Sequence, residues 1–144
     1  MSVLEFGGEY RYLSNFSPSL FWWRNQRWPT VEHAYQASKN PDYKDLVLSV
    51  SSPAEAKHIG KHLSLISGWE DMKLDIMTSL VLAKFEQNED LGGSLMEIKG
   101  IIEEGNHWHD TFWGVCHCDS CCDTGENWLG RILMDVRDHL IMAI

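Results

Sequence analysis

Trp28-Pro29-Thr30-Val31-Glu32-His33-Ala34-Tyr35-Gln36-Ala37-Ser38-Lys39 carries the change from strand to helix that sets the fold class. Thr30 is a helix-capping residue type, because its hydroxyl can satisfy an amide of the first turn. Val31, Ala34, Tyr35 and Ser38 fall at helical spacing and predict the buried face of a helix running to about Lys39. Pro41 closes it, since proline cannot continue the hydrogen-bond ladder. Glu32, Gln36 and Lys39 fall at i, i+4 and i+7, opposite that stripe. Glu32 stands in the first turn, where the helix dipole favours a negative charge. A carboxylate with an amide one turn later can hold sugar hydroxyls or a base edge. A plain solvated polar face has the same spacing.

Outward from this helix, the N-terminal 28 residues read as short strands and turns. Val3 to Phe6 and Tyr10 to Leu13 flank Gly7-Gly8, and Leu20 to Trp23 and Arg27-Trp28 flank an Asn25-Gln26 turn. Asp42 to Val50 predicts a short helix. Ser52-Pro53-Ala54-Glu55 is a capping box with proline in the first turn, which starts a helix over about 53–59 with Gly60 as its C-terminal cap. Trp69, Met72, Ile76, Leu80 and Ala83 step along one face of a long helix over 69–87. Leu91 to Lys99 is helical despite Gly92-Gly93, Ile101-Ile102 is a short strand, and Asn127 caps a last helix. In that helix Leu129, Ile132, Leu133, Val136 and Leu140 point inward. The expected architecture is a mainly helical α+β single domain over residues 1–144, with a small N-terminal β-sheet.

Composition bounds what such a domain does. A chain of 144 residues with 44% apolar and 23% charged residues has the globular average and enough core to fold without disulfides. Twelve basic residues against 21 acidic ones give a net charge of -9, which excludes a generally basic nucleic-acid-coating face but not a local phosphate pocket. No signal peptide or membrane-length apolar run is visible, so the expected location is the cytoplasm, with no membrane partner. Seven tryptophans suit a pocket for a flat or sugar-like ligand as well as core packing.

Two further stretches and two lysines bear chemistry. Asn106-His107-Trp108-His109-Asp110-Thr111-Phe112-Trp113-Gly114 alternates polar and aromatic residues without a helical period, and places Asp110 among aromatics where proton transfer is favoured. Cys116-His117-Cys118-Asp119-Ser120-Cys121-Cys122 gathers all 4 cysteines of the chain. Cys118-x-x-Cys121 has zinc-knuckle spacing, and Cys116, His107, His109 and His117 are candidates for a second ligand pair. Cys116, Cys118, Cys121 and Cys122 are therefore the metal-ligand candidates, against the alternative of reduced thiols in a turn. Lys61 after Gly60 can meet a phosphate or simply face a helix C-terminus. Lys84 either points inward beside Leu80 and Val81, where a buried amine needs a partner, or is a solvated or snorkelling lysine.

Five blocks in order resemble one family: Tyr12-Leu13-Ser14-Asn15-Phe16-Ser17-Pro18, Trp28 to Lys39, Ala83-Lys84-Phe85-Glu86-Gln87-Asn88, His109-Asp110-Thr111-Phe112-Trp113-Gly114, and Asn127-Trp128-Leu129-Gly130-Arg131-Ile132-Leu133-Met134. Over about Phe6 to Leu140 the chain closely resembles the NADAR family, also called YbiA-like. The resemblance implies a YbiA-like fold and N-glycosidase activity, the hydrolysis of a ribosyl C1–N bond. One branch of that family acts on phosphoribosylamino-pyrimidine intermediates of riboflavin synthesis and releases ribose 5-phosphate. Another removes ADP-ribose from guanine in DNA. The implied partner is thus a small phosphoribosyl or ADP-ribosyl substrate, with ADP-ribosylated DNA as the larger candidate.

By resemblance, Glu32, Trp69 and Asp110 take the family's catalytic positions. Asn15, Gln36, Lys39, Lys61, Lys84, Trp113, Asn127 and Arg131 take pocket or supporting positions. The family chemistry implies no required cofactor, so a zinc at the cysteines would be structural. The cysteine stretch replaces a glycine-rich segment common in the family. Two readings from other classes stand beside the enzyme: a non-catalytic module that binds ADP-ribose or a nucleotide, and a small zinc-binding interaction domain.

Overall fold

A computed structural model describes residues 1–144. The chain forms two compact units, Asn15–Asn88 and Met1–Ser14 with Glu89–Ile144. No helix is long and apolar enough to cross a membrane.

In the 15–88 unit, β1 (Phe21–Trp23) and β2 (Gln26–Trp28) pair antiparallel, with Phe21 opposite Trp28. The hairpin turns on Arg24 and Asn25, at φ 50° and 61°, one residue earlier than Asn25-Gln26. Two successive left-handed residues match the twist of the flanking strands. Phe21 and Trp28 are buried while Trp22 is exposed, the alternation of a half-buried strand. The free edge of β1 is occupied by a side chain: Trp22 N donates to Gln87 Oε1 at 2.7 Å, and Gln87 Nε2 donates to Trp22 O at 2.8 Å. An amide side chain thereby stands in for a neighbouring strand.

Four helices complete this unit: α1 (Val31–Ser38), α2 (Lys44–Leu48), α3 (Pro53–Lys61) and α4 (Trp69–Gln87). Helix α1 packs on α2, α3 and α4. All eight of its residues are buried, so its Glu32 and Gln36 do not form a solvated face. The spacing of apolar residues describes only one side of a helix, whereas neighbours cover α1 all round. The α3 capping box forms as expected, with Glu55 N donating to Ser52 Oγ at 3.1 Å and Ser52 Oγ donating to Glu55 Oε1 at 2.9 Å. Gly60 does not end α3, which continues to Lys61. Its missing side chain serves packing instead, because a Cβ there would lie 1.8 Å from Gln36 Oε1. Helix α4 spans the expected residues, but its buried set adds Met77, Val81, Lys84 and Phe85 to Trp69, Ile76 and Leu80. Lys84 is only 1% exposed, which corrects the solvated reading.

In the other unit the expected strand over Tyr10 to Leu13 is a 3-10 helix, Gly8–Leu13, entered through Gly8 at φ +55°. Only Val3 of the first segment pairs. It bridges Ile102, with Val3 N donating to Ile101 O at 2.8 Å and Glu103 N donating to Val3 O at 2.8 Å. Helix α5 (Glu89–Glu97) packs on α6 (Trp128–Met142), and β3 (Gly105–Asn106) pairs parallel to β4 (Val115–Cys116). Arg137 of α6 ties the chain after α5, donating from Nη1 to Ile98 O at 3.0 Å and to Gly100 O at 2.7 Å.

Gly60→Ala is expected to lower stability by about 1–3 kcal/mol, the range for an overpacked site. Urea unfolding checks this, and an unchanged midpoint would mean that Gln36 moves aside without cost.

Candidate functional site

Glu32 is positioned by the first turn of α1. Thr30 caps that turn, accepting from His33 N at 3.0 Å. The His33 ring is held at both nitrogens, by the Thr30 hydroxyl at 2.7 Å from Nδ1 and by Val50 O at 3.0 Å from Nε2. One tautomer satisfies both contacts: Nε2–H donates to the carbonyl and Nδ1 accepts from the hydroxyl. Glu32 N donates to Asn15 O at 3.1 Å. The Glu32 side chain is therefore set by a doubly anchored helix start, and the residue is 7% exposed. Gln36 Nε2 donates to Glu32 Oε1 at 2.7 Å, which fixes the carboxylate plane. Gln36 Oε1 is buried and has no hydrogen-bond partner. An unmade hydrogen bond of this kind is costly, and the oxygen packs instead against Gly60 of α3.

The lysines near this helix arrive from three elements. Lys39 ends α1. Burial lowers its pKa, Glu32 opposes that shift, and the charges of Lys57 on α3 and Lys73 on α4 lower it further. Lys57 and Lys73 were not legible as site residues, because each is ordinary on its own helix and only the packing of α1 against α3 and α4 brings the charges together. Lys61 lies exposed at the end of α3. Lys84 is buried in α4 with its ammonium 5.0 Å from the Phe85 ring centre, a cation–π distance. Trp69 is buried at the start of α4 and packs on Tyr35 of α1, with ring centroids 5.3 Å apart. Asn15 adds a contact from Nδ2 to Met77 Sδ at 3.5 Å, so it touches α4 as well as bonding α1 through its carbonyl.

Within the second unit, Asp110 sits in a tight turn. Its Oδ1 accepts from Phe112 N at 3.1 Å and Trp113 N at 2.9 Å. Asn106 brackets the same residue: Asp110 N donates to its Oδ1 at 3.2 Å, and its Nδ2 donates to Asp110 O at 2.9 Å. Two hydrogen bonds thus aim the carboxylate and two more hold the Asp110 backbone, while the second carboxylate oxygen makes none within the protein. Trp113 packs edge-on against Phe112 at 4.9 Å between centroids.

Asn127 does not cap α6 through its side chain; it takes a left-handed conformation at φ 55°. Its carboxamide instead joins two strand carbonyl and amide groups, accepting from Glu104 N at 3.0 Å and donating to Ile102 O at 3.0 Å. Arg131 is exposed on α6, its guanidinium 4.7 Å from the Trp128 ring centre.

The cysteine segment folds around one of the histidines. His109 Nδ1 lies 3.3 Å from Cys118 Sγ, 3.4 Å from Cys121 Sγ and 3.9 Å from Cys116 Sγ. The hydroxyl of Ser120, and next the amide of Cys121, pull the Cys118 thiol down to about 5. Cys122 is turned away and donates its thiol to Asp119 O at 3.0 Å. His117 faces elsewhere, bonded to Asp123 Oδ1 at 2.6 Å and Glu103 Oε1 at 3.0 Å, and both carboxylates raise its pKa, Asp123 most. Cys122, His117 and His107 therefore drop out of the ligand set.

The NADAR domain model matches residues 5–141, and the chain belongs to the NADAR family. The N-glycosidase YbiA of Escherichia coli (strain K12) is 33% identical over 136 residues, covering 92% of this chain and 82% of YbiA. The solution NMR structure of E. coli YbiA superposes with a TM-score of 0.83 at 29% identity, covering 99% of this chain and 85% of that one. The mainly helical α+β, YbiA-like fold expected from the sequence is the fold observed. The chloroplastic riboflavin biosynthesis protein PYRR of Zea mays is 33% identical over 150 residues, covering 91% of this chain. The chain spans only 23% of the length of PYRR.

Asn127→Ala strands a carbonyl and an amide in the strand region, and is expected to cost about 1–3 kcal/mol of stability. Denaturant unfolding measures it. A loss of activity with stability unchanged would instead give the carboxamide a role at the substrate.

Proposed function

We propose that the protein is an N-glycosidase that hydrolyses the bond between ribose C1 and nitrogen in a phosphoribosylamino-pyrimidine of riboflavin synthesis. The observation that carries this reading is the buried Glu32–Gln36 pair, with Lys39 at the end of the same helix near enough to feel the Glu32 charge. The names of the relatives support it, since one is named an N-glycosidase and another a riboflavin biosynthesis protein.

The chemistry follows from the bond to be broken. As the C1–N bond lengthens, positive charge grows on C1 and the ring oxygen, and the electron pair moves to the departing nitrogen. A fixed carboxylate beside C1 stabilises that cation more than the ground state, which is how a preorganised charge accelerates a reaction. Glu32 is this carboxylate, held in one orientation by Gln36. Gln36 acts through Glu32, its own Oε1 being packed against Gly60 of α3. Water supplies hydroxide to C1 and its remaining proton to the nitrogen, so the products are ribose 5-phosphate and the free aminopyrimidine. Glycoside hydrolysis commonly needs a second carboxylate to move that proton. By the family resemblance that part falls to Asp110, whose own turn leaves one carboxylate oxygen uncommitted. Lys39, Lys57 and Lys73 bind the 5'-phosphate, the local positive charge that a chain of net charge -9 must concentrate to hold an anion. Trp69 positions α4 against α1 through Tyr35.

Mass spectrometry of the products tests the reading. The wild-type protein is expected to release ribose 5-phosphate from a phosphoribosylamino-pyrimidine. Glu32→Gln keeps the shape and hydrogen bonds but removes the charge, and is expected to lower kcat by about 100-fold or more while circular dichroism stays unchanged. Full activity in both Glu32→Gln and Asp110→Asn would refute the mechanism. Release of ADP-ribose from an ADP-ribosylated guanine oligonucleotide, with the pyrimidine untouched, would assign the other substrate branch.

The lysines give a separate prediction. Lys57→Ala and Lys73→Ala each remove one charge facing the phosphate, and are expected to raise KM with kcat nearly unchanged, the signature of a uniform binding contact. Steady-state kinetics at fixed ionic strength reads this split.

A further inference from the structure

The His109–Cys121 segment has a geometry that the proposed glycosidase chemistry does not use. Four ligand atoms, one each from His109, Cys116, Cys118 and Cys121, all lie within 4.8 Å of one another. Zinc bonds of about 2.3 Å to sulfur and about 2.0–2.1 Å to nitrogen, at tetrahedral angles, separate sulfur from nitrogen by about 3.5 Å. The observed separations from His109 Nδ1 are 3.3, 3.4 and 3.9 Å. One imidazole nitrogen thus stands at a tetrahedral-edge distance from three sulfurs at once.

The surrounding backbone is arranged for thiolates. His109 N donates to Cys116 Sγ at 3.3 Å, and Cys121 N donates to Cys118 Sγ at 3.3 Å. Amide hydrogens directed at sulfur offset the excess negative charge of three thiolates on a dication. Cys118 and Cys121 have the C-x-x-C spacing of a metal knuckle. His109 holds a left-handed conformation at φ 71°, unusual for a non-glycine residue and maintained only where surrounding contacts enforce it. Cys116 is fully buried on β4, and all four cysteines are free thiols.

We propose that His109, Cys116, Cys118 and Cys121 bind one zinc ion in a closed, four-coordinate structural site. Three soft thiolates and one imidazole in a tetrahedral arrangement select zinc over hard oxygen-seeking cations. With all four positions filled by protein, no site is left for water or substrate, so the ion does no chemistry. It ties His109, and with it the adjoining Asp110 turn, to β4 and the 118–121 loop. The inference is independent of the proposed reaction, because it rests on the ligand set alone.

Metal analysis of the full-length protein, purified under reducing conditions without chelator, tests it. Native mass spectrometry and elemental analysis are expected to find one zinc per chain. Cys118→Ser and Cys121→Ser are expected to lose it, while Cys122→Ser retains it. Because a ligand variant can fail to fold, the unmodified protein gives a second reading. Stripped of metal and titrated with cobalt(II), it is expected to take up one equivalent, with the intense visible bands of tetrahedral cobalt and a thiolate charge-transfer band. A wild-type protein that holds no zinc and gives only the weak spectrum of octahedral cobalt would overturn the proposal. So would a Cys118–Cys121 disulfide persisting under reductant, or loss of zinc from Cys122→Ser with retention in Cys118→Ser.

Discussion

A carboxylate enclosed in a helix that has no exposed face is the constraint from which the 15–88 unit is built. Burying such a group without partners costs several kcal/mol, so the surrounding structure has to hold it. The Thr30 cap and the doubly bonded His33 ring fix the start of α1, Asn15 O takes the Glu32 amide, and Gln36 takes the side chain. Gln36 can reach Glu32 only because Gly60 leaves room for it, which draws α3 in against α1. That close approach is also what sets Lys57 beside Lys39. The charge, the packing and the glycine are therefore consequences of one requirement.

The electrostatic design is local. A chain of net charge -9 repels anions at long range, so any anionic group has to be met by cations collected in one place. Burial lowers the Lys39 pKa most, Glu32 opposes it, and the charges of Lys57 and Lys73 lower it further. The Asp110 turn follows a different logic. It satisfies one carboxylate oxygen with two backbone amides and leaves the other uncommitted. This is suited to passing a proton without reorganising the loop.

How much of this was legible in the sequence depended on whether the information was local. Glu32 and Gln36 share one helix, so their i, i+4 spacing announced the pair, and the capping box at Ser52 and the span of α4 were equally local. Lys57 and Lys73 were illegible because their meaning comes from packing between helices. The same cause left Lys84 open between an inward and a solvated position, and only the packing of α4 shows it buried. Tyr10 to Leu13 reads as a strand from its residue types, but the left-handed Gly8 opens a 3-10 helix there. Asn127 sits where a cap belongs, yet its own left-handed conformation removes it from capping geometry, and its carboxamide serves the strands instead. Among the cysteines, the C-x-x-C spacing marked Cys118 and Cys121 as a pair, while the gathering of His109, rather than His107 or His117, with the thiols needed the fold of the loop.

The central claim is that the C1–N bond of a ribosyl substrate is the one broken. Turnover of a phosphoribosylamino-pyrimidine in water enriched in oxygen-18 tests it most directly. The account predicts that the released aminopyrimidine keeps its nitrogen and carries no label, with the heavy oxygen entering only the ribose 5-phosphate. Label in the pyrimidine, with the nitrogen left on the sugar, would place the cleavage on the other side of that nitrogen and contradict it.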